Sequence, residues 1–136
     1  MADENGFRLD VSKTVSGSTA LCIFFGKVKL ARLTFNMSGG FAQIGIIKKF
    51  PIDSKVISKF RKEFGAFPSE YLLDELSRRG AKGYRYHSLN PGGKRLLTAL
   101  IKRKVVQYNV ARSEIWHEYA LTNEAHSRAL RRKRLP

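Results

Sequence analysis

The chain has 136 residues, enough for one hydrophobic core but not for two. Hydrophobic residues make up 43% and include nine Phe and five Tyr, a composition that excludes a disordered tail and predicts a folded domain. Its 26 Lys and Arg against 11 Asp and Glu give a formal charge of +15, a self-repulsion usually tolerated where the partner is a polyanion; nucleic acid is the leading expectation and an anionic membrane surface the second.

The first ten residues, "MADENGFRLD", are acidic and polar, the reverse of the charged-then-apolar pattern of a signal peptide. The longest apolar run, "ALCIFF" at residues 20–25, is strand-sized, far short of the roughly 20 residues that cross a bilayer. The single cysteine, Cys22, lies within it, so neither an internal disulfide nor a cysteine cluster for zinc is available, and a buried packing role is expected. These features predict an intracellular protein, cytoplasmic, or nuclear in a eukaryotic or viral setting, with no membrane partner.

Residues 7–49 are rich in β-branched and aromatic types and are punctuated by the turn signals "SGS", "FGK" and "SGG". Four short strands in antiparallel meander order are predicted. In the first, Phe7, Leu9 and Val11 alternate with Arg8, Asp10 and Ser12. The second is the apolar run around residues 21–25. In the third, Val28 and Leu30 share one parity while Ala31, Leu33 and Phe35 take the other, which predicts a bulge near Leu30 or burial on both sides. The fourth covers residues 41–48.

After Pro51 the period becomes helical. Asp53 or Ser54 caps a helix whose Val56, Ile57, Phe60 and Phe64 face inward while Lys55, Lys59 and Lys62 line another face, and Gly65 ends it. Pro68 and Ser69 open a second helix with Leu72, Leu73 and Leu76 inward, Arg78 and Arg79 in its last turn, and Gly80 as the stop. An extended piece at residues 83–88 follows. Asn90 and Pro91 then start a third helix with Leu96, Leu97, Leu100, Ile101 and Val105 at core spacing. A last helix is predicted from about Asn109, docking through Val110, Ile115, Trp116, Tyr119 and Ala120 and running into the basic end "RALRRKRLP". Residues 1–122 are thus expected to form one nucleic-acid-binding domain, and residues 123–136 a basic C-terminal helical arm that gains order on a partner.

Charge is concentrated. Between Glu75 and Glu114 stand Arg78, Arg79, Lys82, Arg85, Lys94, Arg95, Lys102, Arg103, Lys104 and Arg112, with no carboxylate among them. A solvated face normally mixes signs, so a single-sign block favours binding to phosphates, and the tail residues Arg128, Arg131, Arg132, Lys133 and Arg134 extend it. Tyr84 and Tyr86 share one side of a strand; they either stack unpaired bases or pack beneath the third helix. The segment "NPGGKR" offers bare glycine backbone at the positive end of a helix, a seat for phosphate. It lacks the upstream glycine of a P-loop and the Ser or Thr after Lys94.

Two stretches resemble known families. "DSKVISKFRKEFGAFPSEY", residues 53–71, resembles the final helix-turn-helix of AraC-type transcription regulators, in which "FKKEFG" is followed by "SPSEY". That resemblance implies a second helix entering a major groove, read by Arg78, Arg79 or Glu70. "FFGKVKLARLTFN", residues 24–36, followed by "GGFAQIGIIKKFPIDSKVISKF", looks like the strand-rich domain of the positive-cofactor family of single-stranded-DNA-binding coactivators. Both resemblances imply DNA binding.

Enzyme readings find little. His87, His117 and His126 are scattered, Glu114 and Glu118 more simply pair with nearby arginines, and no residue is positioned to activate Cys22. The sequence therefore predicts an α+β domain: a small antiparallel sheet of about four N-terminal strands followed by three to four helices and the basic arm. The expected function is non-enzymatic nucleic-acid binding dominated by phosphate contacts, DNA favoured over RNA, without cofactor or metal. The alternative is a viral or phage coat or packaging protein whose tail neutralises a genome. Homo-oligomerisation is left open by the sequence.

Overall fold

Turns at residues 14–18, 26–27 and 39–40 reverse the chain three times, and the four strands they connect pair in meander order as the alternation of the sequence requires. These are β1 (Phe7–Lys13), β2 (Thr19–Phe25), β3 (Val28–Ser38) and β4 (Phe41–Lys49). The computed structural model describes residues 6–86, 91–102, 106–113 and 116–136, with backbone alone at 92, 93, 101, 106–113 and 116–119. The chain continues with α1 (Ser54–Phe64), α2 (Pro68–Arg78), β5 (Gly83–Tyr86), α3 (Pro91–Lys102), β6 (Val106–Ser113), β7 (Trp116–Leu121) and α4 (Asn123–Arg131).

The class is α+β, as expected, but the sheet is larger than four strands. Seven strands join in the order β1-β2-β3-β4-β5-β7-β6. β5 runs parallel to β4, which makes the sheet mixed, and the other pairs are antiparallel. The segment expected to begin a helix at Asn109 is the β6–β7 hairpin instead. Val106, Tyr108 and Val110 also carry a period of two, and β5 presents an open edge on which β7 pairs from Gly83–Ala120 to Tyr86–His117. Strand pairing decides between the two periods. Ile115 and Val105, assigned to helices by spacing, lie outside the described residues.

Both register irregularities of the meander sit where side-chain parity changes. Ile23 pairs with Ala31 and Phe24 with Lys29, so Leu30 is the extra residue, which accounts for the parity switch read in the sequence. Likewise Thr34 pairs with Ile46 and Phe35 with Ile44, leaving Gly45 unmatched on β4. The Thr34 hydroxyl accepts the freed Ile46 N–H at 3.0 Å. A Cβ on Gly45 would stand 2.8 Å from that same oxygen, so glycine is required there.

One face of the meander packs on α2, burying Leu21, Ile23, Leu33 and Ile47 with Leu72, Leu73, Leu76 and Tyr71. α1 begins with Asp53 accepting the Lys55 N–H at 2.8 Å and ends at Gly65 with φ +75. It contributes Phe60 and Phe64, which meet Phe7 and Tyr71 edge to face at 5.1 to 6.0 Å between centroids. Pro68 occupies the first turn of α2, as its sequence signature indicated.

The basic end does not extend away as an arm. α4 starts at the Thr122 cap and packs on α2 through Ala125 and Ala129. Arg78, its side chain 4% exposed, donates to the Ala129 carbonyl at 3.0 Å and the Arg132 carbonyl at 3.0 Å, and pairs with Glu75 at 2.8 Å. The Tyr71 hydroxyl donates to the Lys133 carbonyl at 2.9 Å and accepts the Leu135 N–H at 2.8 Å. Finally the Leu9 N–H of β1 donates to the Pro136 carbonyl at 3.1 Å, so the last residue lies along the edge of the sheet. Composition alone suggested an arm because the segment has few apolar residues; buried carboxylates and an arginine on α2 supply the attraction instead.

Deleting residues 127–136 should therefore unseat the fold rather than leave it unchanged. The deletion takes two carbonyls from Arg78, the Arg132 guanidinium from Asp74 and both backbone partners of the Tyr71 hydroxyl, a loss of about 3–5 kcal/mol. The expected drop in Tm is about 10–20 °C by thermal circular dichroism. An unchanged Tm would show that the docked tail contributes nothing to stability.

Candidate functional site

β4 and β5 are joined side by side at Ala42–Tyr84 and Gln43–Arg85. Beyond Gln43 the β4 edge on this side has no described strand partner, and α3, at Arg95 and Leu96, and the first turn of α2 approach it. The result is a cleft of about 820 Å³, within the range of small-molecule sites. Its described walls are Ile47, Lys48 and Lys49 at the carboxyl end of β4, Phe67 and Ser69 at the start of α2, and Arg95 and Leu96 in α3. It carries three cations and no carboxylate among those walls. A neighbouring cavity of about 290 Å³ shares Lys49, Phe67 and Ser69.

Ser69 is the least ordinary member of this set. The residue is 3% exposed and its Oγ has no hydrogen-bond partner. An unpaired buried hydroxyl costs about 1–3 kcal/mol, so its presence here calls for a structural or functional reason. It sits one residue into α2, where the helix dipole places positive potential. Phe67 is 43% exposed, with the Arg61 guanidinium over its ring at 4.2 Å and the Lys49 ammonium at 6.0 Å. Nearby, Lys29 and Lys48 flank the Phe50 ring at 5.9 and 4.9 Å. Cations and aromatic faces therefore alternate along this rim.

The residues singled out by charge fall into separate groups. Arg95 lines the cleft, and Lys94 and Lys102 are exposed on the same helix. Arg103 and Lys104 lie outside the described residues, as do His87 and Asn90. Lys82 donates its backbone N–H to the Gly40 carbonyl at 2.7 Å, and Arg85 stacks on Phe41 at 4.4 Å. Arg78 is buried in the tail contact, whereas Arg79 reaches Glu75 at 3.5 Å from a more exposed position. Arg128, Arg131, Arg132 and Lys133 gather around a second depression, and Arg134 reaches Glu75 at 3.7 Å.

Tyr84 and Tyr86 take the packing role of the two weighed for them. Tyr84 is 1% exposed and donates to the Leu73 carbonyl at 3.1 Å; Tyr86 is buried too. Burial pushes the Tyr84 phenol well up, with the Asp74 and Glu70 charges adding to it. Neither ring is placed to receive a base. The helix pair expected from the AraC-type resemblance does form, but residues 68–77 of α2 are buried throughout, so this helix cannot enter a major groove. The strand–turn–strand–helix order of the positive-cofactor resemblance is present in β3, β4 and α1, within a longer sheet. Sequence reasoning missed Lys48, Lys49, Phe67 and Ser69. The signal available was "KKF" closing a strand, which marks two cations at a strand's carboxyl end.

Cys22 is buried, and burial pushes its thiol up, in keeping with a packing role. Among the described residues no group of three His, Cys, Asp or Glu is placed to hold a metal ion, and no helix is long and apolar enough to cross a membrane. No protein-family model and no curated protein matches the chain. Among solved structures the chain is similar to a protein of unknown function from Aquifex aeolicus VF5, with 13% identity and a TM-score of 0.36 over 96% of this chain and 79% of that one.

Asp74 offers a test of the buried charges beneath the tail. It lies 2.6 Å from Arg132 Nε but off the hydrogen-bond axis. Burial raises its carboxyl from 3.8 to about 6, against the pull of Arg132. Protonation is thus favoured by folding: the cost of the ionised form is complete above about 6 and is lost as pH falls toward 3.8. Asp74→Asn cannot ionise, so its Tm relative to the native chain should become more favourable as pH rises through that window. Melts across the window check this, and a constant difference would mean that Arg132 offsets the burial completely.

Proposed function

We propose that this protein binds a phosphate-bearing small molecule of nucleotide size in the cleft between β4, α2 and α3. The observation that carries the reading is the buried Ser69 hydroxyl, unpartnered beside Lys48, Lys49 and Arg95. A phosphate oxygen would accept from that hydroxyl at the positive end of a helix and be neutralised by the three cations. Phe67, Leu96 and Ile47 supply an apolar wall for a base or another flat or apolar group. Such a ligand uses every unusual feature of the cleft at once.

A second reading, non-enzymatic binding of nucleic acid with DNA favoured, is supported by the formal charge of +15 and by the exposed Lys94, Arg95 and Lys102 of α3. Its contacts would be to phosphates, since the tyrosines proposed as stacking platforms are buried.

One variant separates the two. Ser69→Ala removes an unsatisfied hydroxyl, so the free protein should gain about 1 kcal/mol, a rise in Tm of about 3 °C. Calorimetric titration with a nucleoside diphosphate should show one saturable site, weakened about tenfold in Ser69→Ala, a loss of about 1.4 kcal/mol. Should only oligonucleotides bind, with Ser69→Ala unchanged and log affinity falling by about 0.7–0.9 per phosphate contact per unit of log salt, the second reading holds and the first is rejected. Binding of neither rejects both.

A further inference from the structure

The docked C-terminal segment builds a second basic depression, whose walls share no residue with those of the cleft. We propose that it is a binding site for a compact polyvalent anion of the di- or triphosphate class, formed only while the tail is docked. The depression measures about 530 Å³, and its cations come from three elements: Lys62 of α1, Arg128 and Arg131 of α4, and Arg132 and Lys133 beyond it. Folding thus brings together side chains as much as 71 residues apart and holds them at one place.

Three of these five cations hold a carboxylate. Two carboxylates share the walls, Glu63 and Glu70. Glu63 is taken by Lys133 at 3.0 Å, and Arg128 holds Glu124 at 3.3 Å; both are exposed pairs of the kind that contribute little and yield readily to a better partner. Lys62 and Arg131 have no described partner. Arg132 is fixed in place: its Nε lies against Asp74, its Nη1 donates to the Phe64 carbonyl at 3.2 Å, and the bare Cα of Gly65 gives it room. One anchored guanidinium surrounded by four movable cations suits an anion with several charges in a small volume. A single negative charge would leave most of the repulsion in place.

The site and the docking of the tail are the same event, so a ligand bound there opposes release of the tail by mass action. This inference does not depend on the cleft. It is tested on the full chain by titrating inorganic triphosphate while following Tm, against sodium chloride at matched ionic strength. Triphosphate should raise Tm saturably while chloride does not. Lys62→Gln and Arg131→Gln, both at exposed positions, should each weaken the apparent affinity several-fold, and together remove this site's part of the shift, leaving only what binding at the cleft contributes. Ser69→Ala should leave the part of the shift that depends on Lys62 and Arg131 unchanged. An equal response to chloride would reduce the effect to screening and overturn the proposal. A shift that survives in the Lys62→Gln/Arg131→Gln variant but is lost in Ser69→Ala would belong to the cleft and overturn it as well. Duplex DNA that displaces triphosphate at a lower phosphate concentration would assign the depression to a nucleic-acid backbone instead.

Discussion

Arg78 must find partners for its N–H groups inside the protein, because its side chain is 4% exposed and an unpaired guanidinium left in such a place costs several kcal/mol. Glu75 supplies a charge one turn back on α2, and the Tyr71 hydroxyl accepts at 3.2 Å. The remaining partners are two carbonyls at the end of α4, that of Ala129, which also accepts the Arg132 N–H at 3.3 Å, and that of Arg132. A planar guanidinium reaches several acceptors in fixed directions, which an ammonium cannot. The contact therefore does more than hold two helices together. It fixes where the chain must go after α4, and that path takes residues 132–136 past Tyr71 to the edge of β1.

The same helix sets up the cleft at its other end. α2 is buried along its length on β2, β3 and β4, so its first turn is delivered to the carboxyl end of β4 with little freedom. The Gly45 bulge then decides which side chains meet it. Ile44 and Ile47 are both buried although three residues apart, because the extra residue between them resets the alternation. After the reset Lys49 follows Ile47 on the face toward α2 and stands beside Ser69 and Phe67. Without the bulge the strand would present Ile46 there and turn Lys49 away. Which of the two lysines follows onto the face toward α2 is thus a consequence of one glycine and the Thr34 hydroxyl that stabilises the bulge.

The meander, its Leu30 bulge and the caps of α1 and α2 were legible because each is a local matter: alternation, a proline, a glycine with positive φ, an aspartate at a helix start. What was not legible depends on residues far apart. Residues 106–121 carry both a helical and an alternating pattern, and only the open edge of β5 selects the strand. Tyr84 and Tyr86 look like stacking rings beside arginines in sequence, yet the third dimension puts Tyr84 under α2, bonded to Leu73. The tail's few apolar residues argued against docking, and so they would if hydrophobic burial were its main attachment. Beside the buried Ala125 and Ala129 its attachment is polar, to groups spread along α2 over eight residues from Tyr71 to Arg78. Charge counts locate basic residues without saying which of them are already occupied.

That last distinction changes what the net charge means. Of the chain's 11 carboxylates, Glu63, Glu70, Asp74 and Glu75 lie within thirteen residues on α1 and α2, and the last two, with Glu63, are engaged with the tail. Acidic groups have been drawn to the place where the chain end is held. The cleft, by contrast, keeps three cations with no opposing carboxylate among its described walls. A concave wall of low polarisability concentrates the field of such charges into the opening and raises the local concentration of anions, an effect that fades as salt screens it over about 10 Å.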